Sequence, residues 1–349
     1  MRHMIVQRDL ERIVAAPLDW EYLRGTRVLI TGAAGFLAAY MAEALLYLNE
    51  ADPTFGVQVI ALVRDEDRAR TRYAYYEGRD DLSFLVQDVC DPLKLDEPAD
   101  IIIHAASHAS PRFFGSRPVE TLLPNVIGTQ HLLEYSRANA VKRLLFFSSG
   151  EVYGEVDPAR VPTPEDAYGR VDPAALRSCY AESKRMGETM CVAWHHEYGV
   201  STRIVRPFHT YGPGMLLDDG RVFADFVANI VAGRDIVMRS AGTARRAFCY
   251  LADATLGFFT VLLGGEDGVP YNVGNEDAEV SIAQLADILV ATFPERNLRV
   301  VREERAREVG YLESAISRNA PDTARLRGLG WAPFTTIEDG FSSTVRSFL

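Results

Sequence analysis

From Arg27 onward, short apolar runs alternate with longer stretches of helical periodicity. "RVLITG" (27–32) predicts a buried strand, and "FLAAYMAEALLYLNE" (36–50) predicts the helix that follows it. "VQVIALV" (57–63), "LSFLVQDV" (82–89) and "ADIIIHAA" (99–106) predict further strands. A helix over 119–140, with Pro124 in its first turns, precedes a fifth strand, "RLLFFSS" (143–149). Residues 154–178, rich in Pro, Asp and Gly, predict an irregular loop. A long helix (179–199) and a sixth strand, "STRIVRP" (201–207), close the series. Strands that are apolar along their whole length, alternating with helices, predict an α/β fold with a doubly wound parallel sheet covered on both faces.

Beyond Pro207 the rhythm breaks into loops such as "GPGMLLDDGR" (212–221) and "GGEDGVP" (264–270). The expected organisation is an N-terminal extension (1–25), a nucleotide-binding core (26–207) and a smaller lobe (208–349). The lobe closes over the carboxyl edge of the sheet, where open α/β sheets take their ligands, and returns some segments to the core. The extension is expected to add a short helix against the lobe or a partner copy.

Composition narrows the chemistry. A net charge of −11 argues against DNA or RNA as a partner, but leaves room for a small anion held by local arginines. Cys90, Cys179, Cys191 and Cys249 are scattered without a CxxC, which predicts reduced thiols in a cytoplasmic protein and neither a zinc site nor a disulfide framework. His195 and His196 lack a metal-ligand spacing partner, so no metal is expected. Charges at Arg2, Arg8, Asp9, Glu11 and Arg12 interrupt any leader-like core. The most apolar run, 256–265, is far short of a membrane span. A soluble protein without membrane contact is the expectation.

"TGAAGFLAAY" places Gly32, Gly35 and Ala38 directly after a strand and at the start of a helix. The first glycine permits the tight turn, the second a close approach of pyrophosphate, and the small third residue close packing of helix on strand. The helix N-terminus offers unpaired N–H groups to the phosphates. Together these features predict a Rossmann-type dinucleotide site. An acid is expected at the end of the second strand to hold the adenosine ribose of NAD, but the chain has Arg64 after Val63. Arg64 can face a 2′-phosphate, stack on adenine or lie in solvent, so on this feature both NAD and NADP stay open. Asp88 and Val89 are placed to meet adenine, and Ala105 and Ala106 leave room for the cofactor.

"CYAESKRMGE" puts Tyr180 and Lys184 one helical turn apart on one face. A lysine cation and a positive nicotinamide favour phenolate, which turns a weak base into a working one. In "SSGEVYG", the fifth strand ends in Ser148, Ser149 and Glu151, polar residues with no packing reason to be there. Glu151 is either part of the chemistry or bonded to neighbouring backbone.

In order, "TGAAGF", "HAAS", "NVIGT", "SSGEVYG", "YAESK" and "RPFHTYGPG" resemble the extended short-chain dehydrogenases/reductases that modify nucleotide sugars, over residues 26 to 340. Within that branch "HASP" (108–111), "CYAESKRMGETMC" (179–191), "DDGRV" (218–222) and "RRAFCYLADA" (245–254) are most similar to UDP-glucuronate decarboxylases. The resemblance implies an NAD-dependent enzyme that oxidises its sugar at C4 and later reduces it again. It implies that Ser149 orients the 4-hydroxyl, Tyr180 takes its proton, Lys184 holds the nicotinamide ribose, and Glu151 lies beside the substrate carboxylate. It extends the cofactor set to Phe36, Leu37, Ser107 and Pro207. Ser110, Arg112, His209, Arg221 and Arg246 become substrate-side candidates, with Arg246 matching the "RAF" arginine; His209, whose imidazole titrates near neutrality, is either a phosphate ligand or a packed, satisfied histidine. It further implies a homodimer through a four-helix bundle built from the 119–140 helix and the Tyr180 helix.

Three positions depart from the pattern. Gly150 stands where dehydratases carry an aspartate and decarboxylases a serine, His209 where an asparagine is usual, and Gly214 where decarboxylases have an arginine. A 4-epimerase is therefore the second reading, a 4,6-dehydratase the third, and a non-catalytic NADP sensor a remote fourth that intact Ser149, Tyr180 and Lys184 oppose.

Overall fold

The computed structural model describes residues 2–303 and 316–349; residues 304–315 of the expected second lobe lie outside the described residues. The predicted strands form as β1 (Arg27–Thr31), β2 (Gln58–Val63), β3 (Leu82–Val86), β4 (Ile101–His104), β5 (Arg143–Phe147) and β6 (Thr202–Pro207). Side chains alternate along each strand. Val28 and Ile30 of β1 join one apolar cluster and Leu29 the other, and both clusters are buried. On one face lie α1 (Met4–Val14) and α2 (Phe36–Ala51). On the other lie α6 (Thr129–Ala138) and α7 (Ser178–Tyr198). Shorter helices α3 (Glu66–Arg72), α4 (Pro111–Ser116) and α5 (Pro118–Leu123) connect them.

The third and fourth strands are shorter than predicted. The chain leaves the ladder after Val86 and after His104, so Asp88, Val89, Ala105 and Ala106 stand in the loops at the strand ends. The helix predicted over 119–140 is three pieces: α5, a π turn over Pro124–Gly128, and α6. Pro124 has no N–H to continue the ladder, and the wider turn absorbs the mismatch.

The later chain supplies β7 (Thr210–Tyr211), α8 (Val222–Val231), β8 (Ile236–Met238), β9 (Arg245–Ala247), β10 (Cys249–Tyr250), α9 (Leu251–Gly264) and β11 (Pro270–Val273). It continues through β12 (Glu279–Ser281), α10 (Ile282–Thr292), β13 (Val300–Arg302), β14 (Arg318–Asn319), α11 (Ala324–Arg327) and α12 (Ile337–Arg346). The main sheet has the order β11-β6-β5-β4-β1-β2-β3, all parallel. Its direction of growth reverses between β1 and β4, and crevices at such switch points are where α/β sheets bind ligands. Gly187 brings α7 onto the sheet: a Cβ there would sit 2.3 Å from the Phe146 ring of β5.

The N-terminal extension forms α1, packed on α2 and α9. Its Asp9, 4% exposed, accepts hydrogen bonds from Tyr40 Oη (2.9 Å) and Tyr250 Oη (2.6 Å). A second buried acid, Asp253, begins α9 and accepts from Thr335 N and Oγ1, both at 3.1 Å. Burial pushes the Asp253 carboxyl up to about 7 against those bonds. The folded chain thus favours protonated Asp253, so this contribution to stability is full below the unfolded carboxyl value and is lost as pH rises toward 7. Wild type is expected to lose roughly 1–3 kcal/mol relative to Asp253→Asn between pH 4 and pH 7. Denaturant melts of the two proteins across that range measure it.

Candidate active site

The carboxyl ends of the strands open into a cleft of about 1210 Å³ lined by the β1–α2 turn, the ends of β4 and β5, one face of α7 and segments of the later lobe. That volume exceeds what one drug-sized ligand fills, and suits a dinucleotide with a second molecule beside it. At the cofactor end, Gly32 has φ +65°, and a Cβ there would lie 2.7 Å from Ala106 Cα. Only glycine lets the turn pass this close to the β4 loop. Gly35 caps α2, so the free N–H groups beginning at Phe36 and Leu37 face the cleft. Val89, Ala105, Ala106, Ser107 and Pro207 complete the wall.

Arg64 is engaged at the rim. Its guanidinium lies 3.1 Å from His108 Nε2 and 3.6 Å from Asp88, and His108 approaches Glu120 at 3.8 Å. Asp88 in turn accepts from Cys90 N at 2.9 Å.

The predicted catalytic residues converge. β5 delivers Ser149, whose Oγ accepts from Glu151 N at 3.1 Å. Tyr180, 6% exposed, stacks on Phe114 with centroids 4.9 Å apart and lines the same cleft as Ser149. Lys184 Nζ donates to Phe147 O at 2.5 Å and stands 5.8 Å from the Tyr180 ring centroid. Two expectations change here. Burial pushes the Tyr180 phenol up, and the opposing pull comes from Ser149 and Arg221, whereas Lys184 spends its bond on backbone. Burial also draws the Lys184 ammonium down to about 7.

Glu151 is not merely bonded to backbone. Arg177, in the turn that opens α7, meets its Oε2 at 3.3 Å and lies over the Phe114 ring at 5.4 Å. Sequence reasoning missed Arg177, although its position one turn before Tyr180 aims it at the same cleft. Ser110, Arg112 and Arg221 join two loops across the cleft mouth. Ser110 Oγ donates to Asp219 O (2.5 Å), Arg112 to Asp218 O (2.9 Å), and Arg221 to Ala109 O (3.1 Å). Arg246 donates to Arg245 O and Ile316 O, both at 2.8 Å, and borders the cleft. Burial, with the Arg246 and Arg221 charges, draws His209 down to about 3, so the ring is a neutral hydrogen-bonding group and not the near-neutral titrating one expected from sequence.

The residues fit a dinucleotide on two counts. The Gly32 turn is a cradle that any Cβ would fill, and the buried Ser107 Oγ and His209 Nε2 have no hydrogen-bond partner among the described residues. Among the same residues no His/Cys/Asp/Glu cluster suits a metal, the four cysteines are free, and no helix is long and apolar enough to cross a membrane.

A glycine-turn nucleotide cleft joined to a Ser–Tyr–Lys set defines a dinucleotide-dependent enzyme that oxidises or reduces a carbinol. Residues 28–274 match the model of the NAD dependent epimerase/dehydratase family, and the chain belongs to that family. It is 33% identical to UDP-glucuronic acid decarboxylase 5 of Arabidopsis thaliana, covering 92% of this chain and 89% of that one. It is 32% identical to UDP-glucuronic acid decarboxylase 1 of Xenopus tropicalis, covering 92% and 72%. A double mutant of DesIV, a dTDP-glucose 4,6-dehydratase of Streptomyces venezuelae with NAD and DAU bound, superposes with TM-score 0.74 at 26% identity over 92% of this chain and 96% of that one. The Thermotoga maritima UDP-glucose 4-epimerase shares the fold with TM-score 0.75 at 22% identity, over 92% and 98%. The cofactor is NAD.

Gly32→Ala should weaken NAD binding at least about tenfold, because φ and space both oppose a side chain. Tyr180→Phe should leave NAD affinity within about twofold of wild type. Isothermal titration with NAD reads both.

Proposed function

We propose that this enzyme oxidises C4 of a UDP-glucuronate-type nucleotide sugar and that loss of carbon dioxide follows. The observation that carries this reading is the Glu151–Arg177 pair beside Ser149 and Tyr180. A 4-epimerase needs only Ser149, Tyr180 and Lys184; a charge pair next to them suits a substrate that brings a carboxylate of its own. Bound NAD supplies the hydride acceptor, and later the donor, at sugar C4. Gly32, Gly35, Phe36, Leu37 and Ser107 hold its phosphates and ribose, with Asp88 and Val89 at the adenine and Ala105, Ala106 and Pro207 giving it room. Arg64 lines the adenosine end.

Ser149 orients the 4-hydroxyl, and Tyr180 removes its proton as the C4–H bond breaks. Lys184 holds the nicotinamide ribose. The product of that step is a β-keto acid, whose C5–C6 bond breaks with the electron pair passing into the ketone. Arg177 steers the carboxylate, and Glu151 guides the proton that arrives at C5. Tyr180 then returns its proton to the C4 oxygen. Ser110, Arg112, His209, Arg221 and Arg246 face the diphosphate and sugar, with His209 donating from a neutral ring.

The third reading, a dehydratase, meets a steric obstacle. A Cβ at Gly150 would sit 3.1 Å from the Phe208 ring, leaving little room for an acid there. Incubation with NAD and UDP-glucuronate should yield a pentose product and carbon dioxide, read by mass spectrometry. An isomer of unchanged mass would favour the epimerase instead. Arg177→Gln should weaken UDP-glucuronate binding by about tenfold or more while sparing neutral UDP-glucose.

The working unit is a homodimer. α5 and α7 pack together, and Val119, Leu122, Met186 and Val192 leave apolar surface exposed on them. A second copy covers this strip about a two-fold axis, pairing the same helices as a four-helix bundle. Light scattering should give twice the chain mass, and Met186→Arg with Val192→Arg should give the monomer. The expected place of work is the cytoplasm, in keeping with four free cysteines.

A further inference from the structure

Behind the cleft lies a buried polar cluster that the proposed chemistry leaves unused. Glu188 follows Lys184 by one turn of α7 and therefore shares its face. Its carboxylate is gripped from two strands: Arg206 of β6 donates through Nε (2.8 Å) and Nη2 (2.6 Å), and Ser148, at the end of β5, donates through Oγ. Arg206 is itself fixed, donating from Nη1 to Tyr153 Oη (2.8 Å) and Glu165 O (3.0 Å). The Tyr153 hydroxyl passes its hydrogen to Asn272 of β11 at 2.6 Å. Arg206 is 7% exposed, so the pair sits where a charge without a partner is costly.

The cluster adjoins the reactive residues in two ways. Ser148 stands between Phe147, whose carbonyl accepts from Lys184, and Ser149. Around Lys184 the titratable groups are Tyr180, Glu188 and Cys191 on α7 and His104 on β4. Burial keeps the Tyr180 phenol and the Cys191 thiol protonated and holds the His104 ring neutral. Glu188 is then the anion facing Lys184 among the described residues.

We propose that Glu188, locked by Arg206 and Ser148, is a positioning residue that keeps Lys184 an ammonium and holds the Phe147–Ser149 turn in register with Tyr180. A carboxylate with two charge-assisted bonds from one guanidinium has a fixed direction, which is needed where desolvation works against the lysine cation.

The sequence contains three lysines, Lys94, Lys142 and Lys184, so protein labelled with 13C at lysine Cε shows three signals. Their pH titration reads Lys184 directly, with no substrate or turnover, and Lys94 and Lys142 serve as internal references. Glu188→Gln should move the Lys184 midpoint down by about one to two pH units and leave the references in place. Glu188→Asp, which keeps the charge, should restore most of the shift. In turnover assays the alkaline limb of kcat should move acidward by the same amount in Glu188→Gln; a merely structural role would lower the melting temperature without moving that limb. If Glu188→Gln does not fold, the double change Glu188→Met with Arg206→Met removes the pair without leaving a lone charge and should show the same displacement. A folded variant whose Lys184 midpoint stays within about 0.3 unit of wild type overturns the proposal. Failure of wild type to decarboxylate would count against the reaction assigned above and leave this titration intact.

Discussion

The close approach of the β1–α2 turn to the end of β4 is the constraint on which the site depends. Gly32 lies so near Ala106 that no side chain can stand between them. That contact aims the N-terminus of α2 along the carboxyl edge of the sheet, at the point where the strand order reverses. Once it is fixed, the small residues after β4 line the cleft beside that turn. The end of β5 falls one strand away, which puts Ser149 across from the α7 face that carries Tyr180 and Lys184. Gly187 imposes a similar constraint from the other side, by letting α7 settle on the Phe146 ring.

The chemistry is assembled against the preference of a dry interior. Burial pushes Tyr180 toward its neutral phenol and Lys184 toward its neutral amine, the opposite of what a phenolate–ammonium couple requires. The chain answers with fixed dipoles and charges: Ser149 and Arg221 on the phenol side, and Glu188 on the lysine side. The positive nicotinamide adds the remaining field when it binds. In the proposed mechanism Tyr180 is therefore a mild base until the cofactor arrives.

Much of this was legible in sequence. Apolar strands, a glycine turn and a YxxxK helix each announce a local rule, and local rules survive folding. The apolar pattern overruns β3, because Val89 resumes it after Gln87 and Asp88, and overruns β4, because Ala105 and Ala106 continue it after the ladder has stopped. The seventh strand, Pro270–Val273, was missed because four residues carry too little periodicity to separate from a loop. Arg177 and Glu188 were overlooked for a different reason. Their partners, Glu151 and Arg206, are distant in sequence, and only the tertiary fold reveals that a charged residue on a helix faces inward. His209 lines the cleft, but its neutrality follows from enclosure and two neighbouring arginines, which no spacing rule reports.

The family match begins at Val28, yet the folded unit does not. Asp9 joins the hydroxyls of Tyr40, on the helix that follows the glycine turn, and Tyr250, on the strand that leads into α9. The N-terminal helix thus ties the helix after the glycine turn to the strand that leads into α9. A chain trimmed to the matched core would expose two buried phenols and take away the carboxylate that both share. In this protein, the residues most easily discarded as an appendage complete the packing between α2 and α9.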